Sequence, residues 1–179
     1  MNFRKAERFE AQRCLDMVNA ICDYEAEFGK QTCWERDRYP TMVNLQQSFE
    51  NDNDLYVLED EIDGKNTIVA CGRINYIQPD FYKTITWQYD VPSDQVLVLH
   101  IFAVDPVYQK RGYGRTFMSR YEQLAREKGC SVLRLDTVIE NQKSQGLYKN
   151  LGFKIMGQWT GDPNGVDWTL TLIGLEKKL

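Results

Sequence analysis

One short segment of the chain combines exposed main chain with positive charge. Residues 109–114 read Gln-Lys-Arg-Gly-Tyr-Gly and stand between an apolar stretch and a helical pattern. Gly112 and Gly114 lack a Cβ, so a bulky anion can approach the backbone there. The first turn of the helix offers unpaired N–H groups and a partial positive charge, to which Lys110 and Arg111 add formal charge. The segment therefore predicts a phosphate-binding turn, best suited to a diphosphate.

Two well-known phosphate motifs do not fit this turn. The sequence GxxxxGK[ST] of a P-loop does not occur, and a GxGxxG dinucleotide motif fails because Phe117 stands where the third glycine belongs. The glycines could also serve only a tight connection between a strand and a helix. The residues of the turn leave both interpretations open.

The elements that must position the turn follow from hydrophobic periodicity. Residues 96–104 are continuously apolar apart from His100, which predicts a central strand covered on both faces. A helix follows the turn and runs to about Lys128. Residues 131–138 predict a strand parallel to the first, reached through a right-handed crossover, and residues 141–150 predict a shorter helix.

The remaining elements complete an α/β fold. A short strand precedes a helix from Glu7 to about Phe28, and a second helix follows Pro40. Two strands form a hairpin through Asp63 and Gly64, and two more strands close the chain. The predicted order is β-α-α-β-β-β-α-β-α-β-β, which indicates a mixed α/β sheet.

Residues 78–95 are aromatic and proline-containing, and they do not follow one period. They predict a long loop with one short strand, and ordered loops of this length often line functional sites. Phe81, Tyr82, Trp87 and Tyr89 give the loop enough apolar surface to act as a lid over the core. Packing is the preferred interpretation of each aromatic residue, and contact of part of the loop with a substrate is the alternative.

Composition limits the class of protein. Residues 1–179 fit a single domain, with 42% apolar and 27% charged residues, and contain no run long enough to span a membrane. The charged N-terminus predicts a cytoplasmic chain without a secretory signal. A net charge of −4 argues against a nucleic-acid partner. Five cysteines without a CxxC spacing, and a single histidine, favour neither a disulfide framework nor a metal site.

Two sequence blocks resemble the GNAT superfamily of N-acetyltransferases. The stretch AVDPVYQKRGYGRTFM is similar to its acetyl-CoA signature, Q/R-x-x-G-x-G/A, which Gln109, Gly112 and Gly114 fill. The later stretch LDTVIENQKSQGLYKNLGF resembles the next element of that superfamily, a strand followed by an Asn and a helix that carries a Tyr before LGF. The resemblance is specific from about Val96 to Phe153 and covers the rest of the chain only in outline.

The resemblance implies both a fold and a cosubstrate. The fold would be a mixed, mostly antiparallel sheet, splayed between its central strands and flanked by helices. Acetyl-CoA would be held by its pantetheine arm along Phe102–Val104, by its diphosphate on the amides of Arg111–Arg115, and by Asn141. A main-chain N–H of the central strand could polarise the thioester carbonyl. The implied cofactor-binding residues are Phe102, Ala103, Val104, Gln109, Lys110, Arg111, Gly112, Tyr113, Gly114, Arg115 and Asn141.

The implied reaction moves an acetyl group to a primary amine by direct attack within a ternary complex. Tyr148 matches the frequent general-acid position of the superfamily and would protonate the departing thiolate. The alternative for Tyr148 is simple packing on its helix, and a thiolate leaves fairly well without an acid.

A general base is needed because an ordinary alkylamine has a pKa of about 10.4 and is almost fully protonated at pH 7. Asp136 stands where some relatives carry a carboxylate base, although it could instead bond a loop at the end of a strand. His100, which by alternation shares a face with Val98 and Phe102, ranks second. Glu140, most simply a solvated loop charge, ranks third.

Two rival functions stay open at this point. The same turn could serve a non-catalytic acyl-CoA-binding sensor or scaffold module, or it could bind another nucleotide. The acceptor could be a small molecule or a peptide, with a peptide N-terminus, a lysine, a polyamine, an aminoglycoside and an amino acid all compatible. No nucleic acid or membrane partner is expected. A homodimer through the last strands is a hypothesis from the resemblance alone.

Overall fold

The architecture comes from a computed structural model that describes residues 1–50, 52–163, 165 and 167–179. Its strands and α-helices follow the order predicted from the sequence. The strands are β1 (Asn2–Lys5), β2 (Leu55–Ile62), β3 (Lys65–Asn75), β4 (Val96–Val104), β5 (Val132–Val138), β6 (Lys154–Gly161) and β7 (Leu170–Lys178). The helices are α1 (Ala11–Phe28), α2 (Met42–Gln46), α3 (Tyr113–Glu127) and α4 (Gln142–Asn150).

The strands form one mixed sheet in the order β1-β2-β3-β4-β5-β7-β6. The pairs β1–β2, β2–β3, β5–β7 and β6–β7 are antiparallel, and β4 and β5 are parallel. The predicted α/β fold with a mostly antiparallel sheet is therefore confirmed. The ladder between β4 and β5 runs from Val96–Val132 to Leu99–Leu135, and β4 continues beyond it to Val104. The splay between the central strands stays a prediction.

The chain forms two compact units, each built from three segments. The first unit contains residues 1–29, 34–74 and 100–120, and the second contains residues 30–33, 75–99 and 121–179. In the first unit, α1 buries residues spaced three and four apart, which packs its apolar face against strand side chains. That core includes Cys14, Met17, Val18, Ile21, Leu55, Val57, Cys71, Ile101 and Ala103.

The core of the second unit lies between strand side chains and the long loop. Residues 78–95 contain two short 3-10 helices, Asp80–Thr84 and Ser93–Gln95, in place of the predicted strand. Proline precedes each of them, and its fixed φ suits the start of a helical turn. Packing of the loop is confirmed, since Phe81 and Tyr82 are buried against apolar residues that include Val96, Val98, Val132, Val138 and Leu172.

Four expectations concern features of the whole chain. Among the described residues, no helix combines the length and apolarity that a membrane crossing requires. In the same ranges, no three His, Cys, Asp or Glu side chains are grouped so that they could hold a metal ion. The single domain over residues 1–179 and the cytoplasmic location both stay predictions.

Candidate active site

The phosphate-binding turn lies in the first unit, at the start of α3. After β4, a 3-10 helix over Pro106–Tyr108 leads into the turn, where Lys110 has φ +64° and Gly112 has φ +88°. A Cβ at residue 112 would meet no atom within 4 Å, so the space beside this glycine is open. α3 begins at Tyr113 and is 15 residues long. The local geometry therefore has the bare main chain and the helix start that the glycines predicted.

An ion pair fixes the entry to the turn. Asp105, which is 5% exposed, accepts a 3.0 Å hydrogen bond from the main chain of Val107 and forms a salt bridge with Arg13 of α1. Arg13 also donates to the main-chain oxygen of Ile68 at 2.9 Å. A carboxylate buried beside a guanidinium and a backbone donor is well satisfied. Arg13 thus ties α1 and β3 to the residue that starts the turn.

The side chain of Tyr113 is held by β2. Its hydroxyl donates to Asp60 at 2.8 Å, and this hydrogen bond raises the pKa of Tyr113 and lowers the pKa of Asp60. The guanidinium of Arg111 lies 5.5 Å from the ring centre of Tyr108. Gln109 donates to the main chain of Val104 at 3.4 Å. The aromatic side chains are therefore engaged within the protein, so the main chain is the part of this turn suited to an anion.

The end of β4 carries the residues predicted to meet the pantetheine arm. The ring of Phe102 lies 4.9 Å from that of Phe117 on α3, and Ala103 is buried in the core beside α1. Ile101 has φ +48°, a left-handed conformation that is an outlier for a β-branched residue. Burial nevertheless alternates from His100 to Val104: Ile101 and Ala103 are buried, and the residues beside them are half-buried. Half-buried His100 therefore matches Phe102 and Val104 in burial, in agreement with the two-residue period that the sequence predicted.

Asp136 lies on β5 in the second unit and is bonded by a residue of the long loop. The hydroxyl of Tyr82 donates to Oδ1 of Asp136 at 2.8 Å. Burial raises the pKa of Asp136 to about 6, and the hydrogen bond from Tyr82 opposes that rise. Burial, followed by the charge of Asp136, raises the pKa of Tyr82 well above its usual range, so its hydroxyl keeps its proton. Asp136 thus bonds a loop, as the alternative interpretation of its sequence position predicted, although Tyr82 itself was predicted only as a packing residue.

Tyr148 lies on α4, and the charge of Asp136 affects its pKa. Tyr148 is 5% exposed, and its ring centre is 6.0 Å from that of Phe153. Burial raises the pKa of Tyr148, a hydrogen bond with Ser144 lowers it, and the charge of Asp136 raises it further. The phenol thus stays protonated through the neutral range, which suits a proton donor.

Asn141 begins α4 as its cap. Its side-chain oxygen accepts a 3.1 Å hydrogen bond from the main chain of Ser144, which satisfies one of the unpaired donors of the first turn. Asn141 is buried, whereas Glu140 beside it is exposed. Glu140, the third candidate for the general base, is thus a solvated loop residue, as its sequence context indicated.

A buried ion pair holds the loop that carries Tyr82. Nη2 of Arg134 on β5 lies 2.9 Å from Oε1 of Glu176 on β7. The other oxygen of Glu176 accepts from the main chain of Gln88 at 3.0 Å and of Tyr89 at 3.2 Å. The Arg134 guanidinium also lies 4.3 Å from the ring centre of Trp87. Side chains of β5 and β7 thereby fix the loop backbone. No sequence motif predicted this arrangement.

The structure therefore groups the predicted site residues into two sets. The first unit contains His100, residues 102–104 and residues 109–115. The second unit contains Asp136, Asn141 and Tyr148, and Tyr82 and Arg134 join them as residues not predicted from the sequence. Within the second unit, Asp136 accepts a hydrogen bond from Tyr82 of the loop, and its charge raises the pKa of Tyr148 on α4.

Comparison with known proteins gives similarities to acetyltransferases. The chain is 31% identical over 71 residues to the thialysine N-epsilon-acetyltransferase of Bos taurus. The match covers 40% of this chain and 42% of that relative. This chain thus spans less than half of the bovine relative's length. A GNAT family acetyltransferase structure from Streptococcus agalactiae matches with a TM-score of 0.79 and 19% identity, over 99% of this chain and 95% of that one.

A second solved structure, yncA from Salmonella typhimurium, contains its cofactor acetyl-CoA. It matches with a TM-score of 0.68 and 19% identity, over 100% of this chain and 94% of that one. Identities this low support the fold. The family model described as the acetyltransferase (GNAT) family matches residues 18–153, most of the sequence, including the turn, Asp136 and Tyr148. The chain belongs to the GNAT family of acetyltransferases.

Proposed function

We propose that this protein is an N-acetyltransferase that moves an acetyl group from acetyl-CoA to a primary amine. The attack is direct, within a ternary complex, and acetyl-CoA is the cosubstrate. The turn at residues 109–115 supports this proposal, because its open main chain at Gly112 and the start of α3 suit a diphosphate. Lys110 and Arg111 contribute formal positive charge.

One observation carries the catalytic part of the proposal: near pH 7 Asp136 is mostly ionised and Tyr148 is protonated, which are the two states that the reaction needs. With a pKa of about 6, Asp136 is mostly ionised at pH 7 and can take a proton from the acceptor ammonium group. Tyr148 keeps its proton, because burial raises its pKa, and can give that proton to the departing thiolate. His100 and Glu140 are the second and third candidates for the base.

The chemical step balances with these two groups. The neutral amine nitrogen forms a bond to the thioester carbonyl carbon, and the C–S bond breaks. The ammonium group first gives one proton to Asp136, and the thiolate of CoA takes one proton from Tyr148. The second proton, which the nitrogen loses as the amide forms, returns to Tyr148. Main-chain N–H groups near Phe102, Ala103 and Val104 would stabilise the developing oxyanion. Asn141, as the cap of α4, would hold the start of that helix for contact with the cosubstrate.

The acceptor is proposed only as an amine of a small molecule or peptide. The printed name of the bovine relative refers to the ε-nitrogen of thialysine, which supports an aliphatic amine. A Brucella melitensis structure of similar fold is named as a ribosomal-protein-alanine N-acetyltransferase, which supports a peptide N-terminus equally. A homodimer is a further hypothesis from the resemblance.

The proposal is tested by incubating the full chain with acetyl-CoA and a panel of lysine, thialysine, polyamine and N-terminal alanine peptides. We expect free thiol and an amine product heavier by one acetyl group, in equal amounts. Asp136→Asn and Tyr148→Phe should bind CoA with unchanged affinity but release thiol much more slowly. Tight CoA binding without thiol release from any amine would overturn the enzyme and favour a non-catalytic acyl-CoA-binding module.

A further inference from the structure

The loop at residues 78–95 reaches the carboxylate that we assign as the base. Phe81 and Tyr82 are buried, and the Tyr82 hydroxyl makes a 2.8 Å hydrogen bond to Oδ1 of Asp136. A buried phenol that only filled space would be replaceable by phenylalanine. Here the hydroxyl bonds the carboxylate that we propose as the proton acceptor.

The loop backbone is fixed independently of this hydrogen bond. Glu176 accepts from the amides of Gln88 and Tyr89, and Arg134 donates to the main-chain oxygen of Tyr89 at 2.9 Å. The indole of Trp87 donates to the main-chain oxygen of Tyr82 at 2.9 Å. Tyr82 is therefore held in place by its neighbours, and it can orient Asp136 because its own position does not depend on Asp136.

We infer that Tyr82 is a positioning residue for acetyl transfer, which holds Oδ1 of Asp136 so that Oδ2 meets the acceptor amine. This inference rests on the proposed function, since it assigns a partner to the proposed base. The phenol acts through the carboxylate and touches neither acetyl-CoA nor the amine. It favours the ionised carboxylate, the form that accepts a proton.

The charged and titratable groups around this carboxylate are few among the described residues. Tyr82 faces Asp136 from the loop, and Tyr148 faces it from α4. Arg134 and Tyr121 act on Tyr82 in turn, the guanidinium lowering and the phenol raising its pKa, after burial and Asp136 itself. Removal of the Tyr82 hydroxyl therefore acts chiefly on the pKa of Asp136. That pKa should rise, because the hydrogen bond from Tyr82 lowers it.

Tyr82→Phe, with the pH dependence of kcat/KM as the readout, tests the inference. The ratio of variant to parent is used, because the ionisation of the acceptor amine cancels in it. We expect a ratio below one above pH 8, because the carboxylate is less well oriented, and a further fall of about tenfold by pH 5, as for an acid limb moved upward by about one pH unit. Tyr89→Phe is the matched control, since the described contacts of Tyr89 involve its main chain and its ring. Its ratio should not depend on pH.

A ratio for Tyr82→Phe that is flat across pH, whether reduced or not, overturns the inference and leaves Tyr82 a packing residue. A second measurement does not need turnover. Carbon-13 NMR of the labelled aspartate carboxyls, with Asp136 assigned through Asp136→Asn, should give an upward-shifted titration midpoint in Tyr82→Phe. An identical midpoint in both proteins refutes the inference even if the parent acetylates amines. Failure of the parent to acetylate any amine, with the NMR shift present, would instead refute the proposed function.

Discussion

Glu176 and Arg134 form an ion pair that is almost wholly removed from solvent, with Nη2 2.9 Å from Oε1 and exposures of 2% and 7%. We expect Glu176→Gln to lower the free energy of unfolding by about 3–5 kcal/mol, because it leaves a buried guanidinium without its counter-charge. Chemical denaturation at pH 7 measures this loss. The substitution also weakens the bonds to the loop amides, so acetyl transfer should fall as well.

Glu122→Gln is the matched control for that change. Glu122 pairs with Arg126 and Lys177 in a partly exposed setting, at 3.0 Å from Arg126. Exposed pairs contribute little, so we expect a loss under about 1 kcal/mol. If Glu176→Gln and Glu122→Gln lowered the free energy of unfolding equally, the buried pair would contribute no more to stability than the partly exposed one.

Asp136→Asn should remove activity and yet stabilise the protein above neutral pH. The folded chain binds the Asp136 proton more tightly than the unfolded chain does, since burial raises the pKa from 3.8 to about 6. The stability contributed by the protonated group is thus present below about pH 4 and lost as the pH rises through about 6. We expect the variant to gain about 1–3 kcal/mol at pH 8 and almost nothing at pH 4.

Denaturant unfolding at the two pH values tests this difference directly, and thiol release tests the activity. Tyr82 can still donate to an amide oxygen, so the Asn variant keeps its packing. A variant that is less stable at pH 8 would show that the carboxylate is a structural group rather than a strained functional one.

Tyr148→Phe isolates the proton donor. We expect kcat to fall about 10²-fold while the Kd for CoA changes less than twofold, because only the hydroxyl is removed from a buried ring. The raised pKa of Tyr148 also means that the parent enzyme should keep its activity to at least pH 9, where the phenol is still protonated. Steady-state rates between pH 6 and pH 9.5 check both points. A full loss of CoA binding would place Tyr148 in the cosubstrate pocket instead of at the leaving group.

Gly112→Ala tests the turn. Alanine is strained at φ +88°, and its methyl group intrudes where the anion approaches the main chain, so we expect the Kd for CoA to rise at least tenfold. Gly64→Ala is a close control, since Gly64 has φ +73° in the β2–β3 hairpin and equally open surroundings. Both should cost about 1 kcal/mol of stability. Calorimetry should show weaker CoA binding for Gly112→Ala alone. Equal effects of the two substitutions on the Kd for CoA would show that the turn does not bind CoA.

The predictable parts of this protein are those written locally in the sequence. The order of strands and helices follows from hydrophobic periodicity, and the turn follows from glycines and basic residues within six positions. The Tyr82–Asp136 contact spans 54 residues, and the Arg13–Asp105 pair spans 92. Such pairings depend on how the strands align, which no local pattern encodes. Tyr82 in particular has the same sequence signature as an apolar packing residue.

The left-handed backbone at Ile101 could not be predicted for the opposite reason. Local preference argues against it, because isoleucine avoids positive φ, and tertiary packing overrides that preference. Burial still alternates across this point, so the face predicted for His100 agrees with the half-buried positions of Phe102 and Val104. Departures of this kind from local rules are expected near functional sites.

Ile101 also limits how far this protein could be engineered. Glycine there would relieve a torsional penalty of about 1–2 kcal/mol. The same change would empty a buried position beside Val57 and Cys71, and losses of that kind run to about 2–5 kcal/mol. The packing of the Ile101 side chain therefore contributes more stability than the backbone strain costs. Variant libraries selected for heat resistance should retain isoleucine at this position.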